Sequence, residues 1–66
     1  MELCVNGDKL QLRDGATIQE LLDQFKIEPV RVAVELNQTI VSKKAYPTTG
    51  LKSGDMVEIV TFVGGG

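Results

Sequence analysis

Side chains able to do chemistry are sparse in this chain. It has no histidine and a single cysteine, Cys4, which rules out nucleophile–base pairs built on an imidazole and disfavours a zinc site made by this chain alone. What remains is the run Gly64-Gly65-Gly66, directly after the apolar, β-branched stretch 56–63, together with the carboxylates Asp14, Glu20 and Asp23. Glycine has no Cβ, so three in succession form a thin arm that can thread a narrow channel. A terminal carboxyl has a pKa near about 3.5, so the carboxylate on Gly66 is expected to be ionised at neutral pH. Fixing each arm residue in a partner's site loses roughly 1–2 kcal/mol of backbone entropy, which contacts elsewhere must offset. The competing reading is a frayed end, since chain termini are where disorder concentrates; the residues before the glycines decide between them.

The other candidates have ordinary explanations. Cys4 sits mid-strand with no basic neighbour to activate it, and is expected to pack as a small hydrophobe. Glu20 and Asp23 lie three apart on a helix, where capping and solvation account for them without catalysis. Tyr46, beside Pro47, is expected to cover one end of the core, and the doublet Lys43-Lys44 to form a solvated turn. No helix follows Gly64 to Gly66 to supply the amides of a phosphate loop. An independent enzyme is not expected.

The elements that position the glycines can be read from spacing. Leu3 and Val5, then Leu10 and Leu12, alternate with polar residues around Asn6-Gly7 or Gly7-Asp8, the pattern of a β-hairpin. Thr17 and Glu20 form a capping-box pair. Ile18, Leu21, Leu22 and Phe25 fall at i, i+3, i+4 and i+7, predicting a helix to about Lys26 with these four residues on one face. Pro29 is expected to end it, by disfavouring helical geometry at Glu28. From Val30 onward, Val32, Val34 and Leu36 predict a third strand; Asn37-Gln38 turns into a short Thr39-Ile40-Val41 strand. Ser42 to Gly50 reads as an irregular connection pinned by Leu51, and Ser53-Gly54-Asp55 turns into the last strand. In that strand Val57, Ile59, Thr61 and Val63 share one parity. If Val57 and Ile59 face the helix, Val60 and Phe62 lie on the open side of the sheet, an apolar patch beside the tail suited to docking a partner. The expected organisation is one domain over 1–63 and a flexible glycine tail over 64–66.

Composition narrows the functional classes. Sixty-six residues allow one small domain, and 42% hydrophobic residues allow it a core. Seven basic and nine acidic residues give a net charge of −2, so no electrostatic footprint for nucleic acid or an anionic membrane is present. No apolar run approaches the roughly 20 residues of a membrane span, and Met1-Glu2 opens without a signal-peptide pattern. A cytoplasmic location is expected.

The hairpin, the capped helix, the strand and turn Val32-Ala33-Val34-Glu35-Leu36-Asn37, the segment Leu51-Lys52-Ser53-Gly54-Asp55-Met56-Val57-Glu58-Ile59 and the final Gly65-Gly66 together resemble the ubiquitin-like β-grasp sulfur carriers. The likeness is greatest to the ThiS type of thiamine biosynthesis and covers essentially the whole chain. It implies an α+β fold, a mixed sheet of roughly four to five strands with one main helix packed across it. It also implies that a ThiF-like adenylyltransferase, which holds the ATP and Mg, adenylates the Gly66 carboxylate. A sulfur donor such as a cysteine desulfurase then converts Gly66 to a thiocarboxylate, and a ThiG-like thiazole synthase takes the sulfur. On this likeness the chain binds no cofactor and no metal itself and is a protein co-substrate, not an enzyme. Gly66 carries the chemistry, Gly65 gives access, and Val60, Phe62 and Gly64 engage the partner. The small subunit of molybdopterin synthase also ends in diglycine, though it is usually longer and more helical. A protein-conjugating modifier, or a non-catalytic β-grasp interaction module with an inert tail, would share the same pattern of elements.

Overall fold

The computed structural model describes residues 1–62. Strand β1 (Glu2–Val5) pairs antiparallel with β2 (Asp8–Gln11), with Val5 opposite Asp8. Between them Asn6 and Gly7 have φ of 49° and 85°, the left-handed pair that a two-residue hairpin turn requires if its twist is to match that of the strands.

Helix α1 (Ile18–Gln24) starts where the capping pattern placed it, the Thr17 hydroxyl accepting the Glu20 N–H at 3.2 Å. The reciprocal half of the capping box is missing, because Arg13 takes the Glu20 carboxylate through Nε, at 2.8 Å, and Nη2. The helix is shorter than its apolar spacing predicts. Lys26 turns left-handed with φ 58°, its N–H donating to Asp23 O at 3.0 Å while Ile27 N–H donates to Leu22 O at 2.9 Å. This double closure is a Schellman motif, complete before Glu28 is reached, so Pro29 does not stop the helix. Instead it opens a 3-10 turn over Pro29–Arg31. Ile18, Leu21 and Leu22 are fully buried as their spacing predicts, but Phe25, placed beyond the last helical residue, is 46% exposed.

The same 3-10 turn absorbs Val30 and leaves it exposed, so β3 (Val32–Leu36) begins two residues later than the alternation from Val30 indicates. Asn37 and Gln38, both at positive φ, turn the chain into β4 (Thr39–Val41). The following connection is less irregular than expected. A 3-10 turn over Lys43–Ala45 delivers Tyr46 into the core, where burial raises its phenol pKa. Leu51, also buried, donates its N–H to Ala16 O at 2.8 Å and ties the connection to the start of α1. Gly54, with φ 88°, then turns the chain into β5 (Met56–Thr61).

Among the described residues, five strands form one sheet in the order β2-β1-β5-β3-β4. The last strand is therefore central, parallel to β1 and antiparallel to β3. Parallel neighbours cannot be joined by a tight turn, and the crossover from β1 to β5 includes the helix that lies across the sheet. Leu3, Val5, Val32, Val34 and Val57 from the strands pack with Ile18, Leu21 and Leu22 of α1, closed by Tyr46 and Leu51. No helix of the described residues is long and apolar enough to cross a membrane.

Candidate functional site

Strand β5 leads into the glycine run, and the fold holds it from both sides. Its register with β3 runs from Leu36 opposite Val57 to Val32 opposite Thr61, and Phe62 continues the ladder by donating its N–H to Arg31 O at 2.9 Å. The pairing with β1 is shorter, covering Cys4 with Met56 and Val5 with Val57. The Asn6 side chain extends it. Its Oδ1 accepts the Ile59 N–H at 2.7 Å and its Nδ2 donates to Ile59 O at 3.1 Å, so the carboxamide stands in for the next peptide group of β1. At the other end Asn37 Oδ1 accepts the Met56 N–H at 2.9 Å, and Asn37 Nδ2 donates to Asp55 Oδ1 at 3.0 Å. The two turn asparagines thus brace the strand that carries the tail. Neither role is visible in local sequence, where Asn6 and Asn37 read only as turn residues.

The face of the sheet turned away from α1 carries several exposed apolar side chains. Val60 and Phe62, predicted to lie there together, do so at 53% and 49% exposure; Met56, of the same parity in β5, is exposed beside them, and Ile40 of β4 adds a further exposed side chain. Cys4, the register partner of Met56, is half-buried on this same face rather than inside the core. Phe62 is held in place by Lys43, whose Nζ lies 5.2 Å from the ring centroid and also donates to Val32 O at 2.9 Å. Lys43 is therefore not a freely solvated turn residue. Such a cation over an aromatic face contributes about 0.5–1 kcal/mol at an exposed site. A lysine two residues past an edge strand gives no local signal of this contact. Gly64, Gly65 and Gly66 lie outside the described residues.

The carboxylates do not converge. Asp14 Oδ1 is 3.2 Å from the Met1 amino nitrogen, Glu20 pairs with Arg13, and Asp23 accepts from Gln19 Nε2 at 2.9 Å. The hydrogen bond from Arg13 holds the Glu20 carboxyl below its usual range. Among the described residues no three His, Cys, Asp or Glu side chains gather into a metal-binding group. On the helix side, a shallow cleft of about 430 Å³ runs along the end of β5, lined by Phe25, Ile27, Ile59 and Thr61 with Val5 and Leu10. Phe25 forms one wall of this cleft instead of filling the core. Asn6, Asp8 and Lys9 add polar groups to its walls, so the cleft is a mixed apolar and polar surface.

The arrangement is thus a scaffold that holds a central strand by its backbone, bares apolar side chains on one sheet face and leads the strand's end away from the core. The sheet order with one helix across it defines a ubiquitin-like β-grasp domain. The model of the ThiS family matches residues 2–66, and the chain belongs to that family. It is 42% identical over 65 residues to the sulfur carrier protein ThiS of Bacillus subtilis, covering 97% of this chain and 98% of that one. The crystal structure of the thiamine biosynthesis protein ThiS from Geobacter metallireducens superposes with a TM-score of 0.85 at 36% identity, covering the whole of both chains. A thiazole synthase of Paramagnetospirillum magneticum is 38% identical over 66 residues; the whole of this chain corresponds to 20% of that protein's length.

Proposed function

We propose that this chain is a sulfur carrier of thiamine biosynthesis, a protein co-substrate that partner enzymes modify at the Gly66 carboxylate. The observation that carries the reading is the match of the ThiS family over residues 2–66, on a fold whose central strand β5 ends at Thr61, shortly before the glycines in the sequence. In the proposed sequence a ThiF-like adenylyltransferase, holding ATP and Mg, lets a Gly66 carboxylate oxygen attack the α-phosphate, releasing pyrophosphate. The terminal sulfur of a donor persulfide, charged by a cysteine desulfurase, attacks the acyl-adenylate carbonyl and expels AMP; a second donor thiol then cleaves the acyl disulfide, itself ending in a disulfide, and Gly66 is left as a thiocarboxylate. Gly65, lacking a side chain, lets the carboxyl approach both active sites closely, and Val60, Phe62 and Gly64 contact the partners. Dependence on ATP and on these partner enzymes favours the cytoplasm as the location.

The final acceptor on this reading is a thiazole synthase. Its support is the thiazole synthase whose own chain contains a segment similar to all of this one, an arrangement that keeps a carrier-like domain beside the enzyme it would supply. The test is intact mass. With the adenylyltransferase, ATP and a sulfur source, the chain should gain about 16 Da as one oxygen is replaced by sulfur, and a variant lacking Gly65-Gly66 should gain nothing. No mass gain with an adenylyltransferase shown to be active on another carrier refutes the reading.

A further inference from the structure

The open face contains a like-charge pair that the fold does not require. Glu35 of β3 and Glu58 of β5 are register partners, and both project away from α1, because their neighbours Val34 and Val57 are buried beneath it. Side chains directly opposite in an antiparallel pair have Cβ atoms about 5 Å apart, and like charges there oppose the pairing. Glutamate is also a poor strand former. Neither carboxylate takes part in an ion pair among the described residues. The two charges are surrounded by apolar side chains: Met56 and Val60 on β5, Ala33 on β3, and Ile40, the register partner of Glu35, on β4.

A partner that covers Met56, Val60 and Ile40 must also desolvate the carboxylates between them. Burying two unpaired anions is strongly unfavourable unless a cation meets them. A guanidinium is the fitting group, since its planar fork of donors can bridge two adjacent carboxylates and it loses hydration more readily than an ammonium. We propose that this face docks a thiazole synthase through an apolar ring around at least one arginine, which inserts between Glu35 and Glu58. The proposal rests on the sulfur-carrier reading and adds the chemistry of the partner surface. Glu58 precedes Gly64 by six residues in the sequence, so the charged contact lies upstream of the glycines along the chain. On this account the glutamate pair lowers the stability of the free domain in return for charge complementarity in the complex.

The experiment measures binding of the wild-type chain and of the Glu58→Gln and Glu58→Lys variants to the thiazole synthase, at about 0.05 and 0.3 M salt, alongside thermal unfolding of each free chain. Glu58→Gln should weaken binding at least tenfold at the lower salt, and by less at the higher. Glu58→Lys should weaken it further, while unfolding at a higher temperature than wild type because the new ammonium pairs with Glu35. A Val60→Ala variant should weaken binding with the salt dependence unchanged. Wild-type affinity in both Glu58 variants overturns the proposal, as does a lower unfolding temperature for Glu58→Gln, which would make the pair structural. A wild-type chain that gains the thiocarboxylate mass yet does not bind the synthase also overturns it, and leaves the carrier reading standing.

Discussion

Replacing Asn6 by glycine isolates the brace on the tail-bearing strand, because glycine keeps the left-handed turn at φ 49° and removes only the carboxamide. Two hydrogen bonds to Ile59 are lost, at 2.7 and 3.1 Å. A hydrogen bond contributes about 0.5–1.5 kcal/mol net, so the pair accounts for about 1–3 kcal/mol. The contacts are solvent-exposed, so water can replace the lost partner, which places the cost in the lower half of that range, about 1–2 kcal/mol. Two backbone effects oppose each other: glycine adds roughly 0.5–1 kcal/mol of unfolded-state entropy, while relief of the left-handed conformation returns about 1 kcal/mol. In a domain of this size 1 kcal/mol corresponds to about 4–8 °C in Tm, so Asn6→Gly should unfold about 5–15 °C below wild type. Circular dichroism gives the Tm, and amide hydrogen exchange locates the loss, which should centre on Ile59. A Tm within about 2 °C of wild type, with the Ile59 amide still protected, would refute the claim that the Asn6 side chain continues the ladder between β1 and β5.

Lys26→Gly should raise stability by about 0.5–1 kcal/mol in denaturant unfolding, since the Schellman closure holds a lysine in a conformation glycine adopts without penalty; an unchanged midpoint would contradict this. Arg13 lowers the Glu20 pKa from its ordinary 4.5, so the pair's contribution is present above that value and disappears as pH falls through the lower folded value. Arg13→Ala should accordingly lower the Tm at pH 7, by an amount that shrinks as pH falls through the lowered Glu20 value, a difference read by paired thermal melts. Phe62→Ala should weaken partner binding while lowering stability by no more than about 1 kcal/mol, the upper end for losing the Lys43 contact at an exposed site. A large drop in Tm would instead make Phe62 and Lys43 part of the fold's support.

Several features of the fold were legible because their causes are local. Alternation around Asn6-Gly7 marks a hairpin, Thr17 caps a helix through the Glu20 amide three residues on, and the parity of β5 puts Val57 inside and Val60 outside. The left-handed turn at Lys26 was not legible, since a lysine there carries no turn signal and the more obvious proline lies three residues further on. Phe25 was misplaced for the same reason: helical spacing predicts burial only while the helix lasts, and this one ends at Gln24.

By itself the sequence determined the class of elements, most of the apolar set that forms the core and the family to which the chain belongs. These depend on periodicity, turn chemistry and motif order, all of which act over a few residues. Tertiary structure alone decided that the last strand is central and parallel to the first, that Asn6 reaches Ile59 across 53 residues, that Lys43 stacks on Phe62, and that Glu35 faces Glu58. Each of these follows from which strand lies beside which. Strand order is set by the burial of one sheet face under one helix, a global condition that no short stretch of the chain encodes.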